Sequence, residues 1–165
     1  VAMAGGSDEH NAIAGRLAML LGVRLRESCR FFTADQRFWI AASARGRYAD
    51  GSIICGKPEH PPHDGHATTN PRVVVEVLSP SSAGDDDGDK RLDFQSLVTL
   101  EAYVLVAQDA RRVLVYRRDE KGTWPVAPQV HGPAESFVLP ALSAPIPVDD
   151  VYEGVLDPEG RSLLR

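Results

Sequence analysis

The sequence predicts an α/β (α+β) protein built on one mixed β-sheet flanked by helices. Three stretches carry that expectation. Residues 10–26 place Ile13, Leu17, Leu20, Leu21 and Leu25 at the spacing of one helical face, with Arg16, Arg24 and Arg26 largely off it. Residues 72–78 read as a strand buried on both faces, an apolar run with little alternation. Residues 101–107 and 112–117 form two further strand patterns across Asp109, Ala110 and Arg111, a hairpin.

The other elements follow in order. After the first helix, a strand at 30–33 continues raggedly through 36–40, and Ala44, Arg45 and Gly46 turn the chain into a second strand at 48–55. A loop of Gly, Pro and His spans 56–71 before the 72–78 strand. Residues 87–97 read as a helix with Lys90, Phe94 and Leu97 on one side. Weaker strands are expected over 124–142, and a last helical turn opens at Asp149. The predicted order is α-β-β-β-α-β-β-β.

With 165 residues, the chain has room for one domain, 1–165, around one core. At 43% hydrophobic and 25% charged residues, its composition excludes a wholly disordered chain, a collagen and a coiled coil. No apolar run approaches the ~20 residues that cross a bilayer, so no membrane partner is expected. Lys and Arg number 18 against 23 Asp and Glu, a net charge of −5, which argues against coating nucleic acid by bulk charge. Cys29 and Cys55 are too few for a disulfide framework, and a reducing, cytoplasmic setting is the simpler expectation. The first residue is Val1, and an N-terminal piece is expected to be missing.

Two strands break their own pattern with an acid. Glu76 stands in the middle of Val73-Val74-Val75-Glu76-Val77-Leu78, where an unpaired carboxylate would cost several kcal/mol. It needs a compensating cation: a metal, a Lys or an Arg. Asp50 leads into the 48–55 strand; alone, Asp50-Gly51 reads as a turn dipeptide. If the two strands are neighbours, both carboxylates could converge on one hard divalent cation. Lys90 faces inward on its helix, either as a third member of that site or as a lysine snorkelling at the rim. Asp86 could cap this helix or pair with Lys90, and the run Asp85, Asp86, Asp87 and Asp89 suits its N-terminal dipole without any catalytic role.

Beyond these patterns, the block from Asn70 through Glu76-Val77-Leu78-Ser79-Pro80-Ser81-Ser82, then Asp86, Gly88, Asp89, Lys90 and Phe94, resembles the Uma family of restriction endonucleases. Leu100 to Val106 with Gln108 and Asp109 extends the likeness, which runs from Met3 and His10 to Tyr152 and Val155. That family belongs to the PD-(D/E)XK nuclease superfamily, so the resemblance implies a restriction-endonuclease-like core. It also implies metal-dependent phosphodiester hydrolysis, with DNA as the expected partner. Asp50 matches the Asp of the "PD" element, and Glu76 the acid of "(D/E)XK". Leu78 stands where the superfamily's Lys usually falls, and Lys90 from the following helix takes its part. The resemblance thus assigns catalysis to Asp50, Glu76 and Lys90, and Mg²⁺ or Mn²⁺ to Asp50, Glu76 and the Val77 carbonyl. Two departures stand out: Ala49 replaces the Pro of "PD", and members usually begin with a further helix and strand, which this chain is expected to lack.

Three other expectations follow from the residues. A nuclease fold that binds nucleic acid or a protein partner without cutting is the alternative function. Arg16, Arg24, Arg26, Arg30, Arg37, Arg45 and Arg47 would form its basic face or lie scattered as solvated charges. Cys55, His60, His63 and His66 are zinc ligands by type, yet their spacing fits no compact module. Exposed strands after residue 112 could support a homodimer, which double-strand cutting would want.

Overall fold

The structure, a computed structural model, describes residues 6–80 and 88–164. The first helix, α1 (Asp8–Gly22), starts where Ser7 accepts the backbone N–H of His10. It buries Ile13, Leu17, Leu20 and Leu21. Then follow β1 (Cys29–Thr33), β2 (Arg37–Ile40), β3 (Arg45–Tyr48), β4 (Gly51–Cys55), β5 (Ala67–Thr68) and β6 (Val73–Leu78). The short helix α2 (Asp89–Gln95) leads to β7 (Ala102–Ala107) and β8 (Val113–Arg117). The chain ends through β9 (Gln129–His131), β10 (Ser136–Phe137), β11 (Ile146–Pro147) and α3 (Val148–Val151).

Six strands form the central sheet in the order β1-β4-β6-β7-β8-β9. Only β6 and β7 run parallel, and α2 lies in the connection between them; the other pairs are antiparallel, so the sheet is mixed as expected. Its two faces bury separate cores. Val73, Val75 and Val77 of β6 join α1, Ile53, Val104 and Tyr152 on one side. Val74 joins Phe38, Ile54, Phe94, Tyr103 and Leu105 on the other. Glu76, in the same alternation as Val74, therefore falls on the side covered by α2 and by a second sheet, β3-β2-β5. Tyr152, fully buried, sets its hydroxyl 2.7 Å from the Ala107 carbonyl and 2.9 Å from the Arg112 carbonyl, closing the β7–β8 end.

The differences from the sequence reading have physical causes. The stretch expected as one ragged strand divides, because β2 leaves the central sheet to pair with β3 and β5. The expected turn at Ala44 to Gly46 lies earlier: Arg45 and Gly46 already belong to β3, and Ala44 takes the positive φ of 53°. Asp50-Gly51 is no turn either. Gly51 is a buried strand residue, and a Cβ there would stand 2.6 Å from Cζ of Phe31, so the strand needs glycine where that ring lies over it. The Asp85 to Asp87 run, with the Asp86 pairing, lies outside the described residues.

The cysteines also differ. Cys29 and Cys55 are directly opposite in the β1–β4 register and form a disulfide. Strand pairing, invisible at a separation of 26 residues, brings them together. By loop closure a cross-link of that span stabilises by about 3.5 kcal/mol. Cys29→Ser, or full reduction of the parent, should therefore lower the melting temperature by on the order of 10 °C in scanning calorimetry.

Candidate active site

The ladder between β4 and β6 reaches Gly51 opposite Val75 and stops there. Beyond it, β6 would leave the N–H of Val77 without a strand partner on that side. Asp50, the residue just before β4, fills the gap: its Oδ2 accepts that N–H at 2.7 Å. The same Oδ2 meets Nε2 of His10, from the first turn of α1, at 3.2 Å. Glu76 also acts on Asp50, helping to hold its carboxyl low, so the two acids from neighbouring strands share one site. Lys90 approaches from α2, with Nζ 2.6 Å from Oε1 of Glu76.

Exposure divides the group. The Glu76 side chain is 3% exposed, whereas Asp50 and Lys90 are at 21% and 19% and reach the surface of the site. Burial pushes the Asp50 carboxyl up, but the His10 hydrogen bond, the Val77 N–H, the His10 charge and the Glu76 contact outweigh it and hold Asp50 below the ordinary carboxylate value. Glu76 keeps its place in the sheet because the Lys90 ammonium supplies the charge that burial removes from water.

The structure thus brings together Asp50, Glu76, Val77 and Lys90. It adds His10, which the sequence reading did not place at the site. A signal was present: His10 stands three residues before Ile13 and seven before Leu17, on the inward stripe of α1. The oxygens brought together here are those of the Asp50 and Glu76 carboxylates. These are hard oxygen donors that suit Mg²⁺ or Mn²⁺, which keeps several of its waters. Among the described residues no group of three or more His, Cys, Asp and Glu could hold a metal. Of the residues considered for zinc, Cys55 is in the disulfide, His60 Nδ1 meets the Ala67 carbonyl at 2.7 Å, and His63 packs edge-on to Trp39.

Several of the N-terminal arginines have partners within the chain. Arg16 binds the Asp150 carbonyl and Glu153, Arg30 the Gly56 carbonyl, Arg37 Asp64, and Arg47 Asp93. Each tie leads to a different part of the chain.

The sequence model of the Uma2 family, described as "Putative restriction endonuclease", matches residues 1–147. The chain belongs to the Uma2 family. Within the curated proteins it is 32% identical over 125 residues to the uncharacterized protein sll1609 of Synechocystis sp., covering 75% of this chain and 71% of that protein. A second Synechocystis protein, slr1290, also uncharacterized, is 28% identical over 158 residues, 93% of this chain and 80% of that one. Among solved structures, "a putative nuclease belonging to DUF820" from Anabaena variabilis superposes with a TM-score of 0.74. It covers 94% of this chain and 87% of that one at 16% identity. That likeness establishes the restriction-endonuclease-like fold of this Uma2 member.

Two predictions arise from the site. Lys90→Met leaves the Glu76 carboxylate buried without its cation and should cost about 3 kcal/mol in urea unfolding; adding Glu76→Leu should recover most of that loss. The second concerns acid. Because the folded Asp50 titrates below its unfolded value, its stabilisation is complete above the ordinary carboxylate pKa of about 3.9 and is lost as pH falls through the lower folded value. The stability gap between the parent and Asp50→Asn should close as pH falls below about pH 4 in acid-unfolding curves.

Proposed function

We propose that this Uma2 protein is a metal-dependent endonuclease that hydrolyses phosphodiester bonds in DNA. One observation carries the reading: a buried glutamate in a central strand, ion-paired to a lysine, lies against a second carboxylate at the edge of the neighbouring strand. Structural ion pairs do not need that second acid, whereas a divalent-cation site does.

In this reading Asp50, Glu76 and the Val77 carbonyl hold Mg²⁺ or Mn²⁺. The ion, when bound, supplies a Lewis acid for the phosphoryl oxygen and a more acidic water. The protein's own groups do the rest. Val77 N–H and His10 fix the Asp50 carboxylate in one orientation, the hydrogen-bonded support that metal ligands generally need. Lys90 presents a cation beside Glu76, where it stabilises charge developing on the phosphate and orients the attacking water. Phosphodiester hydrolysis lies towards the top of the ~8–23 kcal/mol range of barrier lowering, more than two carboxylates could provide without an ion. Double-strand scission would call for two copies, and β9, the last strand of the central sheet, offers an edge for a second one.

A non-cutting, nucleic-acid-binding role is the competing reading, favoured by the occupation of Glu76 by Lys90 and the small donor set. The two part on a single pair of measurements. Calorimetry should show Mn²⁺ binding by the parent that is lost in Glu76→Ala, and the parent should nick supercoiled plasmid in Mn²⁺. Lys90→Ala and Asp50→Asn should cut at least ~10²-fold more slowly. Equal Mn²⁺ uptake by parent and Glu76→Ala would sink the metal site; metal binding without any cutting would favour the non-cutting role.

A further inference from the structure

At the other end of the central sheet from the carboxylates, an open groove of about 1150 Å³ runs past the starts of β6 and β7 and the end of β8. Arg72 precedes β6, so four residues of extended chain, about 13 Å, separate it from Glu76. Arg26, Arg72, Arg117, Arg118 and Lys121 line this groove, with Glu101, Asp119 and Glu120 as its acids. Five cations against three acids leave +2 here, in a chain whose net charge is −5. We propose that this groove is a second binding site, for a phosphate-bearing ligand.

How the charges are held supports a ligand rather than internal pairing. Of the acids, Glu101 is paired within the groove, while Asp119 is fixed in its own turn and keeps its charge. Glu101 accepts Nε of Arg72, and Oδ1 of Asp119 accepts the N–H groups of Lys121 and Thr123 in its own turn. Arg26 and Arg118 are instead tied to neutral acceptors: Arg26 Nε donates to the Leu142 carbonyl at 2.9 Å, and Arg118 Nη1 to the Val98 carbonyl at 2.8 Å. Such bonds immobilise a guanidinium without cancelling its charge, so less freedom is left to lose when an anion docks. The remaining N–H donors of a held guanidinium match phosphate oxygens in pairs. Arg117 and Lys121 are exposed on the rim. Segment 138–142 forms one wall of the groove, and its Leu142 carbonyl is the acceptor that holds Arg26.

The phosphate could come from a nucleic-acid backbone or from a free phosphate compound, and one experiment separates them. Fluorescence anisotropy would follow a labelled 20-nucleotide single strand in EDTA, where the carboxylate site is without metal and no cleavage occurs. Inorganic pyrophosphate would be added as competitor. The test variant is Arg117→Glu/Lys121→Glu, since both residues are exposed; Arg26→Gln is the second, probing an arginine held on a carbonyl. The parent should bind the strand, and the double reversal should weaken binding at least tenfold with unchanged circular dichroism and melting temperature. Lys57→Glu, at an exposed lysine outside the groove, should change binding less than threefold. Displacement by pyrophosphate at micromolar concentration assigns the groove to free phosphate compounds, and its failure to compete assigns it to the backbone. Equal binding by the parent, the double reversal and Arg26→Gln would overturn the proposal. So would a parent that binds neither probe. Because no metal is present, neither result depends on whether the protein cuts DNA.

Discussion

A carboxylate stands where the core should be apolar, and much of this structure answers to it. β6 lies between β4 and β7 in the sheet, and its even positions face the second core. Glu76 sits among those positions, and the energy of leaving it there without a cation is comparable with a large part of a domain's stability. Lys90 offsets that cost, so the helix bearing Lys90 has to be present. α2 has only seven residues, too few to be stable in water by propensity. It is held by tertiary contacts: Phe94 is buried against Phe38 and Tyr103, Asp93 is paired with Arg47, and the indole N–H of Trp124 binds the Gln95 carbonyl. Phe38 and Arg47 belong to β2 and β3, so the small sheet serves as the platform that keeps α2, and with it Lys90, over Glu76.

The other acid depends on a different economy of hydrogen bonds. Asp50 is where it is because β4 begins one residue later, leaving a backbone donor of β6 to be satisfied. The glycine that follows lets Phe31 cross the strand, and the disulfide closes the same β1–β4 pair at its far end. His10 then reaches Asp50 from the capped first turn of α1. A carboxylate fastened at two points by separate elements is pre-oriented, the property a divalent-ion ligand needs and a solvated turn aspartate lacks.

Much of the fold was legible along the chain, for reasons that differ by element. The stripe from Ile13 to Leu21 marks α1 because a one-sided helix must repeat every three to four residues. The valine run of β6 and the hairpin of β7 and β8 are visible because strands buried on both faces are apolar throughout. The β2–β3 hairpin is not. Its strands are short, rich in arginine and paired in a sheet of their own, so nothing in residues 37–48 tells which sheet they join. Cys29 and Cys55 are silent for the same reason, since register across a sheet leaves no trace at their spacing. Arg26, Arg72, Arg117 and Arg118 lie far apart in sequence and gather only at one end of the sheet.

By itself the sequence determined which residues would have to be explained. An acid within a valine strand, a second at the start of another strand and an inward lysine are statements about the chemistry of side chains, and burial energetics single them out wherever the strands lie. It also determined the family, because the spacing of those residues is carried by the chain. The tertiary structure alone decided that Asp50 meets Val77 and His10, that Lys90 pairs with Glu76, and that the cysteines are joined. Each of these is a contact between segments that only strand register and helix docking bring together. Register is a collective property of the packed sheet, set by all its faces at once, and no single segment encodes it.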